Sequence, residues 1–479
     1  MLQAIDDLPQ PIGDFKPLDQ WQAHVNRIFY ALRGDKLHSY YQTFASADYR
    51  LAHALAADYY EKVMRREKAA NRRPSTDNRV TNEDSRLIVM ELGPGNGNLA
   101  ACFLCHLKTL DREGRVYPRI RYIMVDWDDA VLEGALAHPD LADHRNRVEV
   151  SCSSIEQVTG VGDGTVDRII CNELWNELPT KLLAKNAGGL EEEHVRPNVS
   201  ERLQRNMPEW SAFVRAFEAK DIESLKRCPP FLDELVWEKE LRPVDWKQVP
   251  YRKTIVEFFK TIDPQVLVPV NLGAFATLKE AKRLLAPDAI GFSAFDAGAA
   301  DLKVLNDPNK PCYGQFGGQY SFMINFVLVE AVARYLGFTE VMLEPQREFI
   351  GRSLHATVIT LMDLLAVHPS AGPRLQRWEQ DRLVLKTIKA LNETYKSPYR
   401  RRIEFPLSKD VPPEERETLN ALLLSLKDDG IPDTVAYLTE NELACAQKDL
   451  EEIGYDPDAI SMVLHAPPSP VEYCSFTCR

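Results

Sequence analysis

Three glycines at alternating positions follow a short apolar run and are suited to holding a ligand. The segment is Glu91-Leu92-Gly93-Pro94-Gly95-Asn96-Gly97, directly after Leu87 to Met90. Because glycine has no Cβ atom, such a turn can be tight and a ligand can approach its backbone closely. The spacing is not Gly-x-Gly-x-x-Gly, and the Gly-Lys-Ser/Thr of a nucleoside triphosphate loop is missing. We therefore expect a close-approach turn for a different ligand.

A second acidic position lies at the end of the next apolar run, Ile123-Met124-Val125-Asp126-Trp127. A carboxylate there can accept hydrogen bonds from both hydroxyls of a ribose. Trp127 can cover one face of an adenine, since aromatic rings stack on π-systems. The alternative is that Asp126 only caps a helix that starts near Asp129. After the third run, Ser153, Ser154 and Glu156 offer polar groups to the same ligand, and we take Ser154 as the site residue.

Two further carboxylates follow the fourth apolar run, in Asn172-Glu173-Leu174-Trp175-Asn176-Glu177-Leu178-Pro179. Carboxylates can orient a guanidinium through paired hydrogen bonds and can accept a proton. We predict Glu173 and Glu177 as catalytic residues and expect Asn172 to frame the pocket. The alternative is that the two glutamates, four residues apart, lie on a solvated helix face while Trp175 packs in the core.

An acidic strand end followed by Gly-x-Gly-x-Gly resembles motif I of class I S-adenosylmethionine (SAM) methyltransferases. The resemblance implies SAM as the cofactor and S-adenosylhomocysteine as its product. The implied cofactor-binding residues are Glu91, Gly93, Gly95, Gly97, Asp126, Trp127, Ser154 and Asn172. Together with Asn-Glu-x-x-x-x-Leu-Pro, the pattern is similar to the MidA-like methyltransferases over about residues 87–365. That family includes a mitochondrial complex I assembly factor that methylates an arginine of a partner subunit. The chain departs from the family at Asn176 and at Asp296-Ala297-Gly298.

The elements around these motifs predict an α/β fold. Short apolar runs of the kind found in strands buried on both faces alternate with stretches that can hold helices. We predict a doubly wound, Rossmann-like class I methyltransferase sheet in residues 86–365, with a helical insertion at about 180–285. The last strand of this sheet is predicted at Thr357 to Leu361. We expect residues 1–85 to form a helical N-terminal region and residues 366–479 a helical C-terminal extension. A terminal tail is expected from Pro467, and it includes Cys474 and Cys478.

Composition excludes several classes of protein. The 479 residues carry 58 Lys and Arg against 71 Asp and Glu, a net charge of −13, which opposes nucleic-acid binding. The absence of a leader-like or membrane-spanning segment predicts a cytoplasmic protein with no membrane contact. Nine cysteines indicate free thiols, and we expect no metal. Cys102-x-x-Cys105-His106 matches a haem-attachment signature, but its apolar spacing favours thiols on a packed helix.

The sequence leaves the methyl acceptor and the oligomeric state open, although a homodimer is compatible with it. A protein substrate, as the resemblance implies, predicts an open acidic groove. A small-molecule substrate predicts a closed pocket built from the aromatic side chains of the insertion, which are Trp210, Trp237, Trp246, Phe258 and Phe259. A third alternative is a SAM-binding assembly factor with little catalysis, because a fold does not fix a function.

Overall fold

The computed structural model of the chain describes residues 9–33, 48–71, 86–316, 318–372, 374–392, 394, 397–399, 405, 407–408, 410–427, 436–467, 469 and 471–479. The N-terminal part contains two short strands and two helices: β1 Gln10–Pro11, β2 Lys16–Pro17, α1 Leu18–Arg33 and α2 Arg50–Asn71. The apolar stripe that includes Trp21, Val25, Ile28 and Phe29 is fully buried, so α1 packs along one face as its spacing predicts.

The next part is the alternating strand–helix unit that the apolar runs predict. Its elements are β3 Leu87–Leu92, α3 Asn98–Leu110, β4 Ile120–Asp126, α4 Asp129–Leu136, β5 Val148–Cys152 and β6 Arg168–Asn172. All six residues of β3 are buried, as expected for a strand covered on both faces. The four strands run parallel, with β3 between β4 and β6.

The insertion after β6 is not all helical, contrary to the sequence prediction. It contains β7 Thr180–Asn186, β8 Gly189–Val199, α5 Glu201–Asn206, α6 Trp210–Ala219, α7 Ile222–Leu225, β9 Val236–Pro243, α8 Arg252–Phe258, β10 Val268–Asn271 and α9 Leu272–Leu284. Its strands form an antiparallel sheet of order β1–β8–β7–β10, with β2 and β9 also paired to β8. The acidic run Glu191 to Glu193 lies on β8, where the Lys181 ammonium reaches Glu192 at 2.5 Å and compensates its buried charge.

The chain then returns to the central sheet. The elements are β11 Gly291–Ala299, α10 Leu302–Leu305, β12 Tyr313–Phe316, β13 Gln319–Phe322, β14 Ile324–Asn325, α11 Phe326–Tyr335, β15 Val341–Pro345 and α12 Gln346–Leu354. Strand β11 lies parallel to β6. Strands β12 and β13 form a separate hairpin.

The C-terminal part begins with a small subdomain that has its own apolar core. It comprises β16 Val358–Thr360, α13 Leu361–Ala366, α14 Arg377–Leu391, α15 Pro413–Lys427, β17 Tyr437–Thr439, α16 Glu440–Cys445, α17 Gln447–Glu452 and α18 Pro457–Leu464. The apolar run at Thr357 to Leu361 forms a strand, but β16 pairs only with β17 and does not join the central sheet.

The segment predicted as a terminal tail is instead an interior strand. Strand β18 Glu472–Cys478 runs antiparallel between β11 and β15, and both Cys474 and Cys478 are buried. Its sequence, Glu-Tyr-Cys-Ser-Phe-Thr-Cys, contains aromatic and β-branched residues that favour strands. The strand follows the proline-rich stretch from Pro467 to Pro470, which is typical of a tail, and this made the strand hard to recognise in the sequence.

The complete central sheet has the order β15–β18–β11–β6–β3–β4–β5, with β14 also paired to β11. The order reverses between β3 and β6, which is the switch point where ligands bind in doubly wound folds, at the carboxyl ends of the strands. This architecture confirms the predicted fold class. Within the described residues, none of the helices combines the length and apolar composition that crossing a membrane requires.

Candidate functional site

The glycine-rich turn joins β3 to α3 at the switch point. Gly93, Gly95 and Gly97 have φ values of 69°, 53° and 79°, a left-handed conformation that other residues adopt only at a cost. A Cβ atom on Gly97 would lie 2.5 Å from the Ala135 carbonyl oxygen, whereas one on Gly95 would meet no atom within 4 Å. Gly97 therefore allows the turn to pack against α4, and Gly95 leaves open space in front of the turn.

Glu91 lies on β3 one residue before its end and is buried. The Tyr122 hydroxyl donates a hydrogen bond to Glu91 Oε2 at 2.9 Å. Burial raises the pKa of Glu91 to about 8, and the hydrogen bond from Tyr122 opposes this shift. Without a ligand, this carboxyl therefore holds its proton at neutral pH, and a nearby cation would favour its ionised form.

Asp126 ends β4, and the structure decides between the two sequence alternatives for it. The cap of α4 is Asp128, whose side chain accepts from the Ala130 amide, so Asp126 is not the capping residue. Its Oδ1 accepts from the Asp128 amide at 3.0 Å, and burial raises its pKa to about 6. Trp127 beside it is 54% exposed, and the Arg27 guanidinium lies 5.5 Å from its ring.

Glu173 follows β6 in a left-handed conformation, with φ 47°. Its amide donates to the Phe295 carbonyl oxygen at 2.7 Å, so backbone pairing with β11 holds this turn in place. Trp175 is fully buried and donates to Thr277 Oγ1 at 2.7 Å. Trp175 therefore packs in the core as the alternative predicted, but the two glutamates do not share a solvated helix face, because Glu173 lies in a turn and is buried.

Glu177 is held by residues from two distant parts of the chain. The Tyr30 hydroxyl, on α1, donates to Glu177 Oε2, and the Gln319 side-chain amide donates to the Tyr30 oxygen at 3.0 Å. Burial raises the pKa of Glu177 to about 7, against the hydrogen bonds from Tyr30 and Gln319. A carboxyl with this pKa can give or take a proton near neutral pH.

Two more groups lie behind Glu173 and were not predicted. Asp296, on β11, is buried and accepts from the amides of Asn176 and Ala297 at 3.1 and 2.9 Å. Burial raises its pKa well above the ordinary value, and the charge of Glu173 adds to the effect. The Tyr473 hydroxyl, on β18, lies 3.4 Å from Glu173 Oε2. Tyr30, Gln319 and Tyr473 lie 142 to 300 residues from the glutamates they adjoin, and no local pattern marks them.

These elements enclose a cavity of about 390 Å³ at the switch point. Nine of the ten predicted site residues line it, and Gly97 alone is placed outside, against α4. Ser154 and Glu156 both line it, so the adenine contact stays open between them. Six acidic side chains face it: Glu91, Asp126, Asp128, Glu156, Glu173 and Glu177. Among the described residues, no lysine, arginine or histidine lines this cavity.

The lining suits a sulfonium nucleoside that carries an amino acid group. Asn172 Oδ1 is buried and accepts no hydrogen bond from any described residue, so it can accept one from an ammonium. Asp126 and Trp127 line the same cavity, and Gly95 leaves room beside the backbone. The fold and this cavity define a class I SAM-dependent methyltransferase, and SAM is its cofactor.

The chain was also compared with known proteins. Residues 75–290 match the model of a family described as "Putative S-adenosyl-L-methionine-dependent methyltransferase". Among curated proteins, no significant match was found. A solved structure of an uncharacterized protein from Burkholderia thailandensis is 15% identical, with a TM-score of 0.42, over 78% of this chain and 83% of that one. A second solved structure from that organism, described as a likely methyl transferase and bound to S-adenosyl-homocysteine, is 12% identical, with a TM-score of 0.42. The similarity covers 88% of this chain and 86% of that one.

Proposed function

We propose that the protein methylates a cationic acceptor, and that the acceptor is the guanidinium of an arginine in a partner protein. The observation that carries this proposal is the acidic lining of the cavity, where six carboxyl side chains face the ligand space without a described basic one. Such a cavity favours cations, because opposite charges attract strongly where water is partly excluded. An arginine acceptor is also what the resemblance to MidA-like methyltransferases implies.

The two glutamates after β6 have distinct parts in this proposal. When bound, SAM supplies an electrophilic methyl group on a sulfonium. The Glu173 carboxylate accepts the paired N–H groups of the guanidinium and so orients the nucleophilic nitrogen. Methylation leaves the guanidinium charged, so one proton must leave the nitrogen, and Glu177 can accept it because its pKa is about 7.

The location of the insertion's aromatic side chains bears on the alternative acceptor. Trp246, Phe258 and Phe259 pack with the core of the central sheet, and Trp210 and Trp237 pack in the apolar cluster around Trp21 of α1. None of these five side chains lines the cavity. A closed aromatic pocket for a metabolite would need them there, so their placement supports a side chain that enters from a protein surface.

The test is transfer of labelled methyl groups from SAM to proteins of a lysate, followed by acid hydrolysis and amino acid analysis. We expect label in methylated arginine, and none when the added protein carries Glu173→Gln. Label in another amino acid would overturn the arginine assignment, and label only in small molecules would establish the metabolite alternative. Binding of S-adenosylhomocysteine without transfer to any acceptor would indicate an assembly factor.

A further inference from the structure

A second cavity, of about 650 Å³, lies at the other end of the central strands from the cofactor cleft. It is bordered by α2 and by the amino-terminal ends of β6, β11 and β15, together with the carboxyl end of antiparallel β18. Ligands of the catalytic reaction bind at the carboxyl ends of parallel strands. A ligand here would therefore not take part in methyl transfer.

The charge of this cavity is opposite to that of the cofactor cleft. Five cationic side chains line it, against two acidic ones, Asp288 and Glu340; the cations are Lys62, Arg65, Arg66, Arg168 and Arg479. They come from α2, from β6 and from the residue after β18, so the fold and not a local run brings them together. This concentration occurs in a chain whose net charge is −13. The cavity is therefore a local exception on an acidic molecule.

Arg168 is the side chain on which the inference depends. Its side chain is only 2% exposed, and its Nη1 donates to Asp58 Oδ2 at 3.2 Å. Its Nε and Nη2 are buried and make no hydrogen bond with any described residue. These two nitrogens form one edge of the guanidinium, the edge that binds an oxyanion through two parallel hydrogen bonds. Unpaired buried donors destabilise a folded protein, so a native structure usually supplies an acceptor.

The neighbouring cations already have carboxylate partners. Arg66 contacts Asp167 at 2.5 Å, and Lys62 contacts Asp58 at 3.0 Å. Burial, and after it the charge of Arg168, lowers the pKa of Lys62. What the described residues do not provide is an acceptor for the free edge of Arg168.

We propose that this cavity binds an oxyanion, a phosphate or a carboxylate, with the Nε–Nη2 edge of Arg168 as the specific anchor and Lys62 and Arg65 as supporting charges. The site is separate from the cofactor cleft, since it lies at the other end of the same strands. The proposal does not depend on the acceptor of the methyl group.

The first experiment is isothermal titration of the full chain with inorganic phosphate and, separately, with citrate, at constant ionic strength set by sodium chloride. We expect saturable binding of at least one anion, and the stronger of the two identifies the group that the site prefers. Heats that do not saturate, or that sodium chloride reproduces, would overturn the proposal.

Two variants locate the binding. Arg168→Lys keeps the charge beside Asp58 but removes the two-nitrogen edge, and we expect about tenfold weaker binding or more. Arg65→Gln should weaken binding about threefold, because Arg65 is 72% exposed and its charge is screened. Its matched control is Arg205→Gln, since Arg205 is 70% exposed and has the same four-residue pairing with a glutamate, but lies outside the cavity.

Unchanged affinity for S-adenosylhomocysteine serves as the measure that each variant is folded. Full anion binding by a folded Arg168→Lys protein would overturn the proposal. If that variant does not fold, the pair at positions 65 and 205 decides: equal affinities overturn the site, and a selective loss in Arg65→Gln supports it.

Discussion

At the scale of single residues, Glu173 combines backbone strain with burial. A left-handed conformation costs a residue with a side chain about 1–2 kcal/mol, and such strain concentrates at functional sites. Here the bond from its amide to the Phe295 carbonyl and the buried ring of Trp175 hold the turn against that cost. In this backbone conformation the Glu173 side chain lines the cavity, beside the space for the cofactor.

Replacing the Glu173 carboxylate with an amide should abolish turnover without affecting the cofactor. We expect Glu173→Gln to lower kcat about 100-fold or more, because it removes the group that orients the acceptor. Affinity for S-adenosylhomocysteine, measured by calorimetry, should stay within about threefold, since both residues have the same shape. The control is Glu133→Gln, the same change at an exposed glutamate on α4 that does not line the cavity. Turnover close to that of the unmodified protein would contradict the catalytic assignment.

Glu91 gives a prediction for the dependence of stability on pH. Its pKa is about 8 in the folded protein against 4.5 ordinarily, so between these values the folded state binds more protons than the unfolded state. The free energy of unfolding therefore falls as pH rises through that range. Between pH 5.5 and 8, Glu91 alone accounts for a loss on the order of 3 kcal/mol in the ligand-free protein.

The variant Glu91→Gln cannot ionise and should lose less stability over the same interval. Urea unfolding at the two pH values, with and without the substitution, measures the difference. Parallel losses in the two proteins would show that Glu91 is not buried as described. Glu177, whose pKa is about 7, contributes equally to both proteins and so cancels in the comparison.

At the scale of elements, two glycines of the turn between β3 and α3 have different roles: Gly97 allows close packing, and Gly95 leaves space for the ligand. Gly97→Ala should lower the free energy of unfolding by about 2–4 kcal/mol, since it adds both left-handed strain and a contact at 2.5 Å with the Ala135 carbonyl. Gly95→Ala should cost only about 1 kcal/mol in stability, because its Cβ would meet no protein atom, but should weaken cofactor binding. Urea unfolding and calorimetry with S-adenosylhomocysteine test both variants. The same loss of stability in both would contradict this assignment.

Strands with a continuous apolar sequence could be predicted, whereas strands with a mixed sequence could not. β3, β4, β6 and β11 are buried on both faces, and their continuous apolar runs are visible in the sequence. Strand β8 has a mixed sequence, because Glu192 and Glu193 are buried opposite lysines that lie elsewhere in the chain. In the sequence, the glutamates of these buried ion pairs look like an exposed charged run. Only the three-dimensional structure shows that they belong to a strand. For the same reason, the contacts of Tyr30 and Tyr473 with the glutamates after β6 could not be predicted from the motifs.

At the scale of the whole molecule, β18 determines whether the central sheet is complete. The strand has neighbours on both sides, so its amides pair along both edges, and a proline within it cannot donate. We expect Ser475→Pro to disrupt the sheet and abolish binding of S-adenosylhomocysteine. Ser469→Pro, at an exposed position before the strand, is the control and should bind normally. Circular dichroism and calorimetry distinguish the outcomes, and cofactor binding by Ser475→Pro would contradict the interior position of β18.

The position of β18 also has a consequence for the order in which the molecule forms. Residues 346–471, 126 in all, separate it from its neighbour β15. During synthesis on the ribosome, β11 and β15 are therefore made long before the strand that fills the gap between them, and their facing edges remain open to incorrect pairing. Tyr473 also reaches Glu173 only once this gap is filled. The nascent chain thus stays without its complete central sheet until almost the last of these residues has been added, a period in which we expect it to need protection by a chaperone.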